Sequence, residues 1–357
     1  MLRGVIVKWE VARRRAGAML PPLLAGVLLL YAVWPWLPVL RRTEATRTVV
    51  FYGFSILGDV MNEAIFPAFQ DQWRAQTGQR VEFISSFAGS GTVTNQLIMG
   101  VPAELALLSL DLDAQRLSGA GVVAPQSWRQ LPHNGVLNRT PFVIVVRQGN
   151  PKGIAGFADL GKPGVQVVHP DPLTSGGANW AIVAEYGAGA RRAAGPEQAR
   201  QAGQQVLAGV WRNVVAQASS ARAARTQFDN GFGDALITYE QEPLWDQTRG
   251  KLKGQVVYPQ STVLSEHTLV VLERNIRPQD RDLIDAFVAF LWSEPAQRLF
   301  VKYGFRSVDE ALNGGNPGFG AIADPFLIEA FGGWQQAKRD VVDGVWRKQV
   351  LPQVGGG

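Results

Sequence analysis

Short apolar runs alternate with segments of helical periodicity along most of the chain. Segments that predict strands lie at 48–54, 80–85, 103–110, 141–147, 165–169, 214–218, 234–239, 256–258 and 267–272. Apolar residues at helical spacing predict helices over 60–77, 92–99, 112–119, 197–210 and 278–292, and a further helix that begins at Gly176. Strands that alternate with helices favour parallel sheets, whose ligands bind at the carboxyl ends of the strands. The pattern therefore predicts an α/β body that begins near residue 47.

Two turns at predicted helix starts combine serine with glycine. Residues 175–177 (Ser-Gly-Gly) follow the apolar run 165–168 and a Pro-Asp-Pro turn, and residues 86–92 follow the strand-like segment 81–84. A strand, a small-residue turn and a helix start leave several backbone N–H groups without a partner, and such a point binds an anion without a charged side chain. Two such turns indicate one small oxyanion that is held from two sides.

The N-terminal region carries a long apolar stretch. Residues 16–40 are 25 residues without a charge, with Trp34 and Trp36 near the end. This length predicts a membrane-spanning helix, and the excess of basic residues before it places residues 1–15 in the cytoplasm and the body outside. A cleaved signal peptide is the alternative. The length of the stretch, and the absence of a small-x-small cleavage site after it, favour an anchor that is retained.

Charge and cysteine content narrow the functional classes. The chain has 357 residues, enough for two lobes, and carries 35 Lys and Arg against 30 Asp and Glu. Much of the basic excess precedes residue 50, so the body is close to neutral and nucleic-acid binding is not indicated. The chain has no cysteine, which removes disulfides, thiol catalysis, cysteine metal sites and a lipoprotein anchor.

Catalytic motifs are missing from the sequence. The three histidines, His133, His169 and His267, lack metal-ligand spacing, and no nucleophile elbow, zinc-protease motif or phosphate-binding loop occurs. A serine paired with His169 leaves a hydrolase as a disfavoured alternative. The sequence thus predicts no catalytic residue, no metal and no cofactor.

Five motifs share an order and spacing with a known family. They are Ala88–Gly91, Arg147–Lys152 followed by 158–160, Pro170–Ala178, Gly233–Ile237 with Glu240, and Phe331–Trp334 with Asp343 and Gly344. In this order they resemble the periplasmic sulfate/thiosulfate-binding proteins of ABC importers, from about residue 49 to residue 346. The resemblance implies a type II periplasmic-binding-protein fold, with residues 47–142 and 268–350 in lobe 1 and residues 143–267 in lobe 2. Two crossover strands, near 141–147 and 267–272, would join the lobes.

The resemblance also implies a set of ligand-binding residues. Ser90 would give its hydroxyl and N–H to the anion, and Ser175 would add a hydroxyl to its own N–H. The complete implied set is Ser90, Gly91, Ser175, Gly176, Gly177, Ala221 and Tyr239, with Arg222 and Asp171 behind it. Tyr239 stands where the family has an indole donor, and Asp171 replaces an Asn. Because either side chain could accept a hydrogen bond, hydrogen phosphate becomes an alternative ligand if Asp171 or Tyr239 faces the site.

These expectations converge on a membrane-anchored receptor in the inner membrane. It would capture a tetrahedral oxyanion, sulfate first, and deliver it to an ABC permease and ATPase. Thiosulfate, phosphate, molybdate and tungstate are alternative ligands, and a tethered anion sensor is the alternative role.

Overall fold

The structure, a computed structural model, describes residues 46–354 and, near the N-terminus, residues 26, 29, 31 and 32. Those four residues are helical. The rest of the expected anchor at 16–40 and all of the cytoplasmic segment 1–15 lie outside the described residues. Within the part of the chain that is described, no helix is long and apolar enough to cross a bilayer.

The body is built from eleven strands and ten main helices. The strands are β1 Arg47–Phe54, β2 Val81–Ala88, β3 Leu105–Leu108, β4 Val136–Val146, β5 Val167–Pro170, β6 Val214–Ala218, β7 Ala235–Tyr239, β8 Gln255–Val257, β9 Ser261–Val271, β10 Arg306–Ser307 and β11 Asp324–Phe326. The helices are α1 Phe66–Thr77, α2 Ser90–Ile98, α3 Asp111–Gly119, α4 Gly176–Ala190, α5 Pro196–Arg212, α6 Ala221–Asp229, α7 Gln241–Thr248, α8 Arg281–Leu291, α9 Glu294–Lys302 and α10 Gly333–Ala337. A π-helical segment, Lys338–Val350, follows α10 and leads into a last turn, Leu351–Val354.

Eight strands form one strongly curled sheet in the order β2-β1-β3-β9-β4-β7-β5-β6, and β8 and β10 pair with β4 while β11 pairs with β9. β1 pairs in parallel with β2 and β3, and β5 pairs in parallel with β6 and β7. Between these two parallel sets lie the long strands β4 and β9, which are antiparallel to each other and to their outer neighbours. The sheet is therefore mixed rather than wholly parallel, because two long strands link its halves in opposite directions.

The helix expected over 60–77 is irregular in its first part. A 3₁₀ turn at Ser55–Leu57 leads through Gly58–Val60 into a π-helical turn at Met61–Ile65, and α1 begins only at Phe66. Pro67 stands at the start of α1 and has no N–H to donate to the preceding turn. The π turn, whose hydrogen bonds span five residues instead of four, comes directly before this proline-containing first turn.

α4 lies in the interior, and every one of its residues is buried. Glycines allow this close packing, since a Cβ at Gly189 would lie 2.3 Å from the carbonyl oxygen of Ala202 on α5. Trp180 packs edge-on against Trp334, with ring centroids 4.4 Å apart. Because the whole helix is buried, the unpaired N–H groups of its first turn end inside the protein and need a partner there.

Candidate functional site

The N-terminus of α4 follows β5 through a compact turn. The Asp171 side chain accepts the N–H of Leu173 at 2.8 Å, and the Asp171 carbonyl accepts the N–H of Ser175 at 2.9 Å. Asp171 therefore builds the turn, and the Ser175 N–H that was expected to face the anion is used within it. The first bond of the helical turn is donated by Ala178 to the Ser175 carbonyl. The N–H groups of Gly176 and Gly177 precede it and remain for a ligand.

The N-terminus of α2 meets that of α4. Val93 donates to the Gly89 carbonyl at 2.9 Å, so the N–H groups of Ser90 and Gly91 precede the first intrahelical bond. A Cβ at Gly176 would lie 3.0 Å from the Ser90 Cβ, and Thr92 donates its N–H to the Thr174 carbonyl at 3.3 Å. The two turns predicted from the sequence are thus brought together.

A third helix N-terminus reaches the same point. Ser220 caps α6 by accepting the N–H of Ala223 at 3.1 Å, and Ala221 at the first position of α6 is buried. A Cβ at Gly89 would lie 2.5 Å from the Ser219 carbonyl oxygen and 2.4 Å from that of Thr174. Three helix dipoles therefore direct their positive ends at one buried region, which favours an anion there.

Two hydroxyls complete this region. The Ser109 Oγ and Tyr239 Oη atoms lie 2.7 Å apart, and a Cβ at Gly177 would lie 3.0 Å from Tyr239 Oη. Burial raises the pKa of Tyr239, although the Ser109 hydrogen bond opposes the shift, so the phenol keeps its proton. The pair holds two hydroxyl protons and uses one between its members, which leaves one to donate to a ligand.

Ser109 was not predicted from the sequence. It follows β3 directly, at the carboxyl end of a strand, and that position was the available signal. The indole Nε1 of Trp180 donates to the Ser109 carbonyl at 2.7 Å, which fixes Ser109 against α4.

The Ser90 hydroxyl, expected to donate to the anion, has two partners within the protein. Its Oγ accepts the N–H of Ser109 at 2.9 Å and donates to the Asp113 Oδ2 atom at 2.6 Å. Its single proton is therefore directed at a carboxylate on α3. Asp113 was also missed, because nothing in the local sequence distinguishes it from other acidic residues on helices.

Arg222 lies beside Ala221 in the first turn of α6 and contacts carboxylates. Its Nε donates to Glu242 at 2.7 Å, and its Nη1 donates to Asp59 at 3.0 Å. Burial lowers the pKa of Arg222, but the charges of Glu242 and Asp59 outweigh burial and raise it overall. The arginine supports the start of α6 through these ion pairs.

The histidines are engaged elsewhere. His169 contacts the Pro170 carbonyl and Glu185, and His267 contacts Asn138 and Ser265. Among the described residues, no group of three or more His, Cys, Asp or Glu side chains has an arrangement that could hold a metal ion. The site offers donors in fixed positions, and such an arrangement can bind an anion.

A family model, related sequences and a related structure all point to one protein family. A family model described as bacterial extracellular solute-binding protein matches residues 58–306. A sulfate-binding protein of Synechococcus elongatus is 33% identical over 300 residues, which cover 82% of this chain and 84% of that protein. A thiosulfate-binding protein of Pseudomonas aeruginosa is 27% identical over 84% of this chain and 91% of its own length. The structure of the sulfate-binding protein SubI from Mycobacterium tuberculosis superimposes with a TM-score of 0.74 at 29% identity, covering 82% of this chain and 99% of that chain.

The ion pairs of Arg222 should contribute to the free energy of unfolding. Arg222→Leu should lower the free energy of unfolding by about 3 kcal/mol, because Glu242 is fully buried and would lose its main partner. Burial already raises the pKa of Glu242, so the folded state holds its proton more strongly than the unfolded state. The loss should therefore grow as pH rises through that pKa. Urea unfolding at several pH values measures this.

The matched control is the double variant Arg222→Leu with Glu242→Gln, which removes the buried charge as well. It should recover most of the lost stability. An equal loss in the single and double variants would show that packing of the arginine, rather than its charge, stabilises this region.

Proposed function

The chain belongs to the bacterial extracellular solute-binding proteins, and from that premise we propose that it captures sulfate for an ABC importer. The observation that carries the proposal is the convergence of the N-termini of α2, α4 and α6 on one buried region. The names of the related sulfate- and thiosulfate-binding proteins support the same ligand class. Proteins of this family bind solutes and are not enzymes, in agreement with the sequence prediction.

The hydrogen-bond donors of the proposed site favour sulfate over hydrogen phosphate. The backbone N–H groups of Ser90, Gly91, Gly176, Gly177 and Ala221 would surround the anion, and the Ser109–Tyr239 pair would add one hydroxyl proton. Sulfate carries no proton near neutral pH, so it can accept from donors on every side. Hydrogen phosphate must also donate one proton. Of its two expected acceptors, the Asp171 carboxylate is engaged with Leu173 in the turn, and the Tyr239 hydroxyl is engaged with Ser109. A phosphate hydroxyl without a hydrogen-bond acceptor would weaken phosphate binding.

Two lobes would share the anion. We place residues 47–142 and 268–350 in lobe 1 and residues 143–267 in lobe 2, with β4 and β9 as the crossover strands. Contacts across this boundary include Thr92 with Thr174, Ser109 with Tyr239, and Asp59 with Arg222. An anion bound to α2 on one side and to α4 and α6 on the other would hold the lobes closed.

Membership of the family supports delivery of the anion to an ABC permease and ATPase. We extend the proposal to the expected membrane anchor. Residues 16–40 would hold the receptor at the inner membrane, with residues 1–15 in the cytoplasm. A tethered sensor remains the second candidate role, because the same charge-free stretch would serve it equally well.

Titration calorimetry of the full chain tests the ligand. Sulfate should bind with one-to-one stoichiometry and more tightly than hydrogen phosphate near pH 7, because the proposed ligand groups are all donors. Thiosulfate, molybdate and tungstate complete the panel. Tighter binding of phosphate would overturn the all-donor account, and binding of none of these anions would overturn the proposed function.

Gly89→Ala tests closure around the anion. The added Cβ would meet the Thr174 and Ser219 carbonyl oxygens of the proposed second lobe, so sulfate affinity should fall by about tenfold or more. Without sulfate the two proposed lobes would separate, so the ligand-free protein should keep its thermal stability. Gly119→Ala on α3 is the control, since a Cβ there meets no atom within 4 Å. Unchanged affinity in Gly89→Ala would argue against closure over this turn.

Reporter fusions at Thr46 test the anchor. A reporter that is active only outside the cytoplasm should work there, and the chain should sediment with membranes. A mature N-terminus near Arg47 would show that the apolar stretch is cleaved. Activity of a cytoplasm-only reporter at Thr46 would reverse the proposed topology.

A further inference from the structure

Asp113 is a buried carboxylate that adjoins the proposed anion site. It lies on α3 with only 3% of its surface exposed. Its Oδ2 atom accepts the Ser90 hydroxyl at 2.6 Å, and its Oδ1 atom accepts Arg116 Nη1 at 3.2 Å. A negative charge beside a proposed anion donor opposes anion binding, so its presence there calls for a function.

The direction of each hydrogen bond at Ser90 is fixed. The Ser109 N–H can only donate, so the Ser90 Oγ accepts it at 2.9 Å. An ionised carboxylate can only accept, so Ser90 must donate its one hydroxyl proton to Asp113. While Asp113 is ionised, Ser90 can offer an anion its backbone N–H but no hydroxyl proton.

Protonation of Asp113 would reverse this arrangement. A proton on Oδ2 would be donated to the Ser90 Oγ, whose two lone pairs would then accept from Asp113 and from the Ser109 N–H. The Ser90 hydroxyl proton would be free to turn toward the anion. The same event removes the negative charge, so both changes favour an anion.

We propose that Asp113 couples anion capture to the uptake of one proton, by controlling whether the Ser90 hydroxyl faces the carboxylate or the anion. Asp113 acts here as a positioning residue, because it acts on the ligand through Ser90. The inference rests on the proposed function, since it requires an anion next to Ser90.

The surroundings of Asp113 hold few other titratable groups. On α3 itself, Arg116 is half exposed and Asp111 is engaged with Trp128 and Arg129. α2 contributes the hydroxyls of Ser90 and Thr94, and β3 and α10 contain no titratable residue. Tyr239 faces it from β7. On β9, Glu266 is paired with Arg139, and burial lowers the pKa of His267 to about 3.

Burial raises the pKa of Asp113, and the bonds from Ser90 and Arg116 oppose the shift. An anion held beside the carboxylate raises it further, because the two negative charges repel each other. Sulfate binds no proton between about pH 5 and pH 8, so a pH-dependent affinity for sulfate in that interval reports groups of the protein.

Titration calorimetry of the full chain with sodium sulfate tests the coupling, in buffers of different ionisation enthalpy between about pH 5 and pH 8. Sulfate affinity should rise as pH falls, and binding should take up a proton, to a limit of one per anion. In Asp113→Asn the amide should donate to Ser90 in place of the acid proton, since Arg116 holds the amide oxygen. That variant should bind sulfate about tenfold more tightly near pH 8 and should take up no proton.

Two further variants separate the hydroxyl from the charge. Measured near pH 8, Ser90→Ala should weaken sulfate binding by a larger factor in the Asp113→Asn background than in the unmodified chain, because at that pH the ionised Asp113 of the unmodified chain still holds the hydroxyl proton. Asp111→Asn, which removes a carboxylate two residues away on the same helix, should leave proton uptake unchanged.

The possible outcomes are distinct. A pH-independent affinity in the unmodified chain, or a pH profile that persists in Asp113→Asn, would overturn the coupling and leave sulfate capture standing. Weaker sulfate binding by Asp113→Asn together with a lower melting temperature would reduce Asp113 to a structural hydrogen-bond acceptor. If the unmodified chain binds no sulfate at any pH, the proposed function fails instead.

Discussion

The buried N-terminus of α4 is the constraint on which the rest of the site depends. A helix has no internal partner for its first N–H groups, and a helix on the surface leaves them to water. α4 is enclosed on all sides, so its first turn must find acceptors inside the protein. The chain does not supply those acceptors: it brings the first turns of α2 and α6 to the same place, which adds further donors. Only a ligand rich in acceptors balances such an arrangement.

The turns around this point consist of glycine and small hydroxyl residues for a steric reason. Side chains at Gly89, Gly176 or Gly177 would overlap the backbone or side chains of the opposite elements. Hydroxyls and carbonyls that fit there are tied to one another, as in the Ser109–Tyr239 pair. The same close approach links residues far apart in sequence, so anion capture would close the two proposed lobes in the same step.

Many of the proposed site residues could be predicted from the sequence, where a local strand–turn–helix pattern marks them. The strand–turn–helix pattern located the starts of α2 and α4 and the residues that form them. Ala221 on α6 came only from the family resemblance, because nothing in its own segment marks an anion site. Ser109 and Asp113 were missed, since their roles depend on contacts between separate elements. The partners of the Ser90 hydroxyl and of the Ser175 N–H within the protein were not predicted for the same reason, because they are set by tertiary packing.

The most direct measurement is the position of a bound anion in crystals of the protein grown with molybdate, whose metal gives an anomalous signal. The account predicts a single strong peak within hydrogen-bond distance of the N–H groups of Gly176 and Gly177, with those of Ser90 and Ala221 on its other sides. A peak in the cleft of about 890 Å³ between Trp128 and Trp334, with none at the helix N-termini, would contradict it.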